Sequence, residues 1–169
     1  ISWVQLDPGN TQGWAAAKRA VPFVEPFQEP IGAGLSEGSP AWLMGYRYPM
    51  ITVPADASGD EVYALMKALA ETFDLYKGVN PIMPRWEMAL AGTPPMDAAF
   101  HDGAIRYLRE AGQWTAEHQS WQDAMMKRHQ ALQKAWAEFL PGAQSRNLSG
   151  EDLTNAWGER RTAALAALS

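Results

Sequence analysis

Cysteine is absent from the sequence, which excludes disulfide bonds, thiolate catalysis and cysteine-ligated zinc. Long apolar runs are also absent. None reaches the roughly 18 residues of a membrane-spanning helix, and the most apolar stretch, residues 41–53, is interrupted by Arg47 and Pro49. Positive charge is scarce, because 14 Lys and Arg face 19 Asp and Glu, for a net charge of -5. Nucleic acids and anionic membranes need a basic footprint, so neither is expected as a partner.

Tryptophan, in contrast, is abundant, with eight residues in a chain of 169. Each ring buries a large area, so a domain this rich in tryptophan is expected to pack tightly or to line a cleft or an interface. Apolar residues make up 47% of the chain and charged residues 20%, the usual balance of a globular protein. The length is sufficient for one domain with a hydrophobic core.

The pattern of the first 53 residues predicts short extended segments separated by turns. Residues 2–6 alternate in polarity, which predicts a strand. Prolines at positions 22, 26 and 30 favour an extended segment or an edge strand, because proline fits neither a helix interior nor a central strand. Residues 32–38 are glycine-rich and predict a loop. Residues 46–53 predict a further strand, which Pro49 limits to an edge or a bulge.

Helices dominate the remainder of the chain. The clearest is predicted over residues 59–77, where apolar residues recur every three or four positions and form one stripe. Residues 115–140 carry a second stripe, which Pro141-Gly142 is predicted to end. Ser149 with Asp152 resembles a capping box for a last helix. Shorter helices are predicted over residues 13–20, 84–91 and 102–111. Few strands followed by many helices indicate an α+β domain or a mainly helical part of an α/β protein.

The segment Gly34-Leu35-Ser36-Glu37-Gly38 matches the G-x-S-x-G pattern of the nucleophile elbow in serine hydrolases. That chemistry needs a strand, a sharp turn and a helix, which together expose the serine hydroxyl beside an oxyanion hole. Pro26 and Pro30 interrupt the preceding strand, and Pro40 soon follows the motif. A glycine-rich loop is therefore the favoured interpretation, and a hydrolase that uses Ser36 is the alternative.

The three histidines lack the spacing of a shared metal site. His118 and His129 lie on one face of a helix but about 16 Å apart along its axis, too far to ligate one ion. We expect both to fill partly buried positions. His101 and Asp102 could form a catalytic pair, but a cap for the helix that Gly103 opens is the simpler interpretation. We predict no metal, no cofactor and no catalytic residue.

The most distinctive polar constellation is Tyr46-Arg47-Tyr48. An arginine flanked by aromatic residues is a good carboxylate receptor, because its planar fork pairs with an anion through two hydrogen bonds. In a strand, the tyrosines share one face and Arg47 takes the other, so one pocket for all three requires a bend, which Pro49 allows. The alternative is an arginine that forms a surface salt bridge.

Two segments carry a resemblance to a known family. The first is Asp60-Glu61-Val62-Tyr63-Ala64-Leu65-Met66-Lys67-Ala68-Leu69, and the second is Phe100-His101-Asp102-Gly103-Ala104-Ile105-Arg106-Tyr107-Leu108-Arg109-Glu110-Ala111-Gly112. In this order, with Pro81 between them, they resemble the closing part of the TAXI-type solute-binding proteins of TRAP transporters. The usual family pattern is close to H-P-G-A followed by a Tyr-rich helix and a Gly, and this chain has Asp102 where that pattern has proline.

The resemblance implies an α/β fold, the C-terminal half of a two-lobed periplasmic-binding-protein-like architecture with few strands and a helical C-terminal extension. Residues 1–112 would form the C-terminal part of the solute-binding-protein-like domain, and residues 113–169 a helical extension that packs on it. The two lobes of such receptors close on a ligand by a hinge movement. A complete receptor is much longer than this chain, so we expect the chain to be a portion of one.

The function implied by the resemblance is that of a periplasmic, non-enzymatic receptor that delivers a small organic acid to the membrane subunits of a TRAP transporter. The implied ligand contacts are Gly34, Ser36, Tyr46, Arg47 and Tyr48. Arg47 would pair with the carboxylate of the solute, and Ser36 and the glycine amides would hydrogen-bond to it. The alternative is a receptor-derived structural or accessory subunit that binds no solute and docks a membrane protein complex through its C-terminal helices.

Overall fold

The computed structural model describes residues 2–47 and 50–168. These residues form a mixed α/β structure that is 55% helical and contains one two-stranded antiparallel sheet. Within this part of the chain, no helix combines the length and the apolar character needed to cross a bilayer. The elements in chain order are α1 (Thr11–Ala20), β1 (Glu25–Glu29), β2 (Ala41–Gly45), α2 (Gly59–Glu71), α3 (Phe73–Tyr76), a 3-10 turn (Met83–Trp86), α4 (Met88–Ala91), α5 (Asp102–Glu110), α6 (Ala116–Ser145) and α7 (Gly150–Ala166).

The chain divides into two compact units, one up to His118 and the other from Gln119 onward. The first unit contains the sheet and the helices α1 to α5. The second contains α7 and nearly all of α6.

The sheet confirms the predicted edge strand in the proline-containing segment, but the strand beside it is residues 41–45 and not the predicted residues 46–53. β1 contains Pro26 and pairs with β2 in the register Glu25↔Gly45 to Glu29↔Ala41. The strand predicted over residues 46–53 is wrong, because β2 ends at Gly45 and the described residues beyond it are not extended in a ladder. A strand persists only where it has a partner, and β1 begins at Glu25. Pro49 lies outside the described residues.

The strand predicted over residues 2–6 is also wrong, although this segment does run beside β2. The amide of Leu6 donates to the carbonyl of Trp42 at 2.8 Å. The next ladder position is taken by a side chain, since the amide of Trp42 donates to Oε1 of Gln5 at 2.7 Å. One backbone hydrogen bond and one side-chain substitute do not form a strand ladder.

Much of the core of the first unit lies between α2 and α5, the two helices that carry the family resemblance, and Val24 and Ala41 are buried near the sheet. Between the two helices, the side chains are almost inaccessible to solvent: Val62, Ala104, Ile105 and Leu108 are 6%, 6%, 5% and 0% exposed. A β-carbon at Gly103 would stand 2.3 Å from the carbonyl oxygen of Gly59, so glycine is required where the two helices meet. The helix predicted over residues 59–77 is confirmed, with an interruption at Thr72 that separates α3 from α2.

The second unit is an antiparallel pair of helices. Trp157 of α7 packs on Trp136 and Phe139 of α6, with ring centroids 4.9 and 5.5 Å apart. The predicted end of α6 at Pro141 is wrong, because the helix runs through the proline to Ser145. Pro141 lacks the N–H that would donate to the carbonyl of Ala137, so the helix continues with one backbone hydrogen bond fewer. In the last turn, the carbonyl of Gly142 accepts from the side chains of Ser145 and Arg146. Ser149 occupies the N-cap of α7, but its side chain makes no capping hydrogen bond.

A half-buried ion pair ties the sheet to the 3-10 turn. Nη1 and Nη2 of Arg85 donate to the two carboxylate oxygens of Glu29 at 2.9 and 2.5 Å, and the guanidinium lies 5.1 Å from the centroid of the Phe27 ring. The hydrogen bonds from Arg85 lower the pKa of Glu29 below its ordinary value of 4.5, and the amide of Ile31 adds to this effect against the opposing effect of burial. The ionised carboxylate is therefore the form that the fold stabilises.

We expect Glu29→Gln to flatten the acid side of the stability profile. Because the pKa of Glu29 is lower in the folded than in the unfolded chain, its contribution is fully present above 4.5 and is lost as the pH falls through the folded pKa. The measurement is the free energy of unfolding in urea from pH 7 to about pH 3. Glu71→Gln is the control. Glu71 pairs with Lys67 at 3.8 Å on the exposed surface, and such a pair contributes little to stability. An unchanged acid slope in Glu29→Gln would contradict the prediction.

Candidate functional site

The glycine-rich segment from residue 32 to residue 38 forms the predicted loop between the two strands. Gly34 has a φ of 77°, a left-handed conformation that glycine adopts without strain. Ser36 and Ser39 exchange backbone hydrogen bonds of 3.3 and 3.0 Å, which closes the loop into a tight turn. Gly34 and Ser36 are both exposed at this end of the sheet.

The surroundings of Ser36 differ from those of a nucleophile elbow. An elbow serine stands between a strand and the helix that follows it. After Ser36 the chain returns through Ser39 directly into the strand β2, so no helix presents its N-terminus to the hydroxyl. The local structure therefore supports the interpretation of the G-x-S-x-G segment as a loop.

Arg47 lies two residues beyond β2, at the opposite end of the sheet from the loop. Its Nη2 donates to Oγ1 of Thr93 at 3.1 Å, and the same hydroxyl donates to the carbonyl of Leu90 at 2.9 Å. The Arg47 side chain is exposed. Within the described residues, no carboxylate lies within ion-pair distance of it. Arg47 is thus oriented by a neutral partner and keeps most of its donors available.

The five predicted contact residues do not gather at one place. β2 separates the loop from Arg47, and its four residue steps span about 13 Å. The hydrogen bonds of Ser36 lead to Ser39, while that of Arg47 leads to Thr93. Tyr46 adjoins Arg47 and is 60% exposed. Tyr48 lies outside the described residues. The structure therefore places Tyr46 with Arg47 at one end of the sheet, and Gly34 with Ser36 at the other.

Thr93 is the residue of this site that the sequence analysis missed. It is 46 positions from Arg47, so no local spacing could connect the two. Its position is fixed by Gly92, where a β-carbon would stand 2.7 Å from Cδ2 of Leu108 and 2.8 Å from the carbonyl of Met88. The end of α4 is thereby packed on Leu108, the largest fully buried side chain among the described residues. A glycine between a short helix and the Pro94-Pro95 pair was the only available signal.

Two other arginines of the first unit have charged partners. Arg85 is bound by Glu29, as described above. Arg106 pairs with Asp60 at 2.8 Å and stacks on the Tyr63 ring, 4.4 Å from its centroid. The hydroxyl of Tyr63 donates to Oε2 of Glu110 at 2.6 Å, and this bond to a carboxylate raises the pKa of Tyr63. Both arginines therefore have carboxylate partners within the fold, whereas Arg47 is held by a neutral hydroxyl.

The histidines have structural positions. Nδ1 of His101 accepts from the amide of Gly103 at 3.1 Å, which confirms the predicted cap of α5. His118 is half-buried and packs edge-on against Trp114, with ring centroids 5.6 Å apart. The predicted partial burial of His129 is wrong, because its side chain is exposed. Among the described residues, no group of three or more metal-ligating side chains comes together.

Comparison with known proteins leaves the family undetermined. No protein-family model matches the chain, and no curated protein or solved structure is significantly similar to it. The geometry of the site and the residues of α2 and α5 are therefore the basis on which a function can be argued.

Proposed function

We propose that this chain is the C-terminal portion of a periplasmic solute-binding receptor, which binds a small organic acid and delivers it to the membrane subunits of a TRAP-type transporter. The two-lobed architecture implied by the resemblance is part of the proposal, with the present chain supplying the closing half. The observation that carries it is Arg47, an exposed guanidinium held in place by the neutral hydroxyl of Thr93.

An arginine in this state is suited to bind a carboxylate. Its fork can donate two parallel hydrogen bonds to one carboxylate, and the ion pair strengthens them. The bond to Thr93 restricts the side chain before the ligand arrives, which lowers the entropy lost on binding. Tyr46, the neighbouring residue, would supply an aromatic wall next to the cation if the chain bends there. Tyr48 would extend that wall, whereas Gly34 and Ser36 lie at the other end of β2, beyond the reach of a small acid held by Arg47.

The C-terminal helices favour a second candidate function, a receptor-derived accessory subunit that binds no solute. Three apolar side chains of the second unit remain substantially exposed: Met126 at 41%, Trp136 at 38% and Leu168 at 48%. Exposed apolar groups are typical of a docking surface where they form one contiguous patch, and these three side chains are the candidates for such a patch. The accessory role requires these side chains for assembly and does not require Arg47, so the two functions make different predictions.

We expect Arg47→Gln to weaken carboxylate binding by about 10- to 100-fold, the usual value of a lost charge-assisted hydrogen bond. The measurement is calorimetric titration with a panel of small organic acids. The matched control is Arg19→Gln, because Arg19 is also exposed but belongs to α1. Equal affinity in the two variants would show that Arg47 does not hold the carboxylate.

The titration is best done on the polypeptide purified from its native source, after measurement of its intact mass. A mass well above the 18.6 kDa of this sequence is expected for a receptor with two lobes. If that polypeptide binds none of the acids, the receptor function is refuted, and co-purification with a membrane complex would support the accessory subunit.

A further inference from the structure

The hydroxyl of Thr93 makes two hydrogen bonds whose directions are fixed by the chemistry of the partners. A guanidinium can only donate, so the hydroxyl accepts from Nη2 of Arg47 at 3.1 Å. A carbonyl oxygen can only accept, so the hydroxyl donates its single proton to the carbonyl of Leu90 at 2.9 Å. The proton of Thr93 is therefore committed to the backbone of the protein.

The remaining capacity of Thr93 is to accept one more hydrogen bond. A threonine hydroxyl has one donor and two acceptor positions, and Leu90 and Arg47 take the donor and one acceptor. Arg47 is exposed and Thr93 is only half-buried, so a ligand can approach them from solvent. Such a ligand finds an acceptor at Thr93 and donors at Arg47.

The two groups are close enough to contact one small ligand. Thr93 takes only one of the N–H donors of Arg47, and a carboxylate can pair with others on the same planar fork. The carbon next to that carboxylate, C2 of the acid, then carries the substituent nearest to Thr93. Because Thr93 can only accept, this substituent has to donate a hydrogen bond.

The substituents that occur at C2 of small organic acids differ in this respect. An oxo group has only lone pairs and would set one acceptor against another, and a plain methylene leaves the position unused. An ammonium group donates, but it would stand beside the guanidinium, for which the described residues offer no carboxylate within ion-pair distance. A hydroxyl group donates without adding charge.

We propose that the ligand held by Arg47 is a 2-hydroxy acid, whose carboxylate pairs with the guanidinium and whose hydroxyl donates to Oγ1 of Thr93. This inference rests on the proposed receptor function, because it names the substrate class of the same site. It gives Thr93 two roles, since the residue both orients Arg47 and selects the substituent at C2.

The test is calorimetric titration of the complete polypeptide with two sets of acids that differ only at C2. The first set is lactate, pyruvate, propionate and alanine. The second is 2-hydroxyglutarate, 2-oxoglutarate, glutarate and glutamate, and each chiral acid is used as separate enantiomers. In the set that binds better, we expect the hydroxy acid to bind about fivefold or more tightly than each of the others, the usual value of one hydrogen bond.

Substitutions of Thr93 test where this preference arises. Thr93→Val replaces the hydroxyl by a methyl group and is expected to abolish the preference, whereas Thr93→Ser is expected to keep it. The ratio of affinities within a set is the measure, because loss of the bond to Arg47 weakens all the acids together. Thr72→Val is the matched control, since the Thr72 hydroxyl also donates to a backbone carbonyl, that of Ala68 at 2.7 Å, and its loss should leave the ratio unchanged.

The outcomes separate this inference from the receptor function. Binding that depends on Arg47 but shows no preference for the hydroxy acid would overturn the inference and leave the receptor in place. A preference that survives in Thr93→Val, or in Thr93→Ala if the valine variant does not fold, would also overturn it. Tightest binding of the amino acid would refute the assignment to hydroxy acids. If no acid binds, the receptor function and the inference fail together.

Discussion

Replacement of Gly103 by alanine is expected to destabilise the first unit by about 3 kcal/mol or more, the upper part of the range for overpacked positions. The added methyl group would stand 2.3 Å from the carbonyl oxygen of Gly59, 2.9 Å from Cβ of Val62 and 3.1 Å from the carbonyl carbon of Gly59. Two of these three atoms belong to the backbone, so a rotamer change cannot relieve the clash. The axes of α2 and α5 must separate, and the core between them loses contacts.

Gly142→Ala is the matched control for this change. Gly142 also lies within a helix, but a β-carbon there would meet nothing within 4 Å. Alanine should therefore be neutral or stabilising at that position, by up to about 1 kcal/mol. The free energy of unfolding in urea and hydrogen exchange of the α2 and α5 amides are the measurements. Similar stabilities of the two variants would show that the helices do not approach as closely as described.

The helices were the predictable part of the fold, although the contact between them was not. The stripe of α2 and the cap of α5 depend on residues only a few positions apart, so the sequence contains the whole signal. His101 caps α5 as expected, and Ser58 caps α2 through a hydrogen bond from the amide of Glu61. What the pattern did not reveal was that Gly103 faces Gly59, because that contact joins segments distant in sequence.

The strands predicted over residues 2–6 and 46–53 were wrong for the same reason, because strand pairing depends on segments distant in sequence. Whether residues 41–45 or residues 46–53 pair with β1 is decided by the partner strand and by the core. Ala41 is completely buried, and Gly45 leaves room for Phe27, whose Cβ would lie 2.5 Å from an added β-carbon. These small residues lower the intrinsic strand propensity of the segment, yet they permit its close packing. Tertiary contacts outweighed the local preference.

The candidate site was predictable only in part. The chemistry of Arg47 follows from its side chain and its aromatic neighbour, and that part required no structure. Its orientation depends on Thr93, which α4 and Leu108 bring into place from a distant part of the chain. The separation of the loop from Arg47 follows from the register of β1 and β2. The sequence analysis missed this register because it predicted the second strand over residues 46–53 instead of residues 41–45.

Leu108→Ala is expected to cost about 2 to 5 kcal/mol, because Leu108 is 0% exposed and its removal leaves a cavity in the core. The control is Leu75→Ala, which deletes the same atoms from a side chain that is 83% exposed and should change stability by less than about 0.5 kcal/mol. Urea unfolding of both variants measures the difference. Comparable values would show that Leu108 is not the centre of this core.

The same substitution probes the link between the core and the site. Leu108 packs against Gly92, and Gly92 precedes the threonine that orients Arg47. Loss of its Cδ2 methyl group should loosen the end of α4, so that the Gly92 amide, which donates to the carbonyl of Met88 at 2.9 Å, exchanges faster with solvent while the amides of α7, in the other unit, do not. A carboxylate ligand should then bind more weakly to Leu108→Ala than to Leu75→Ala, although neither side chain is a proposed contact. Equal affinities would mean that Arg47 recognises its anion without the support of Thr93.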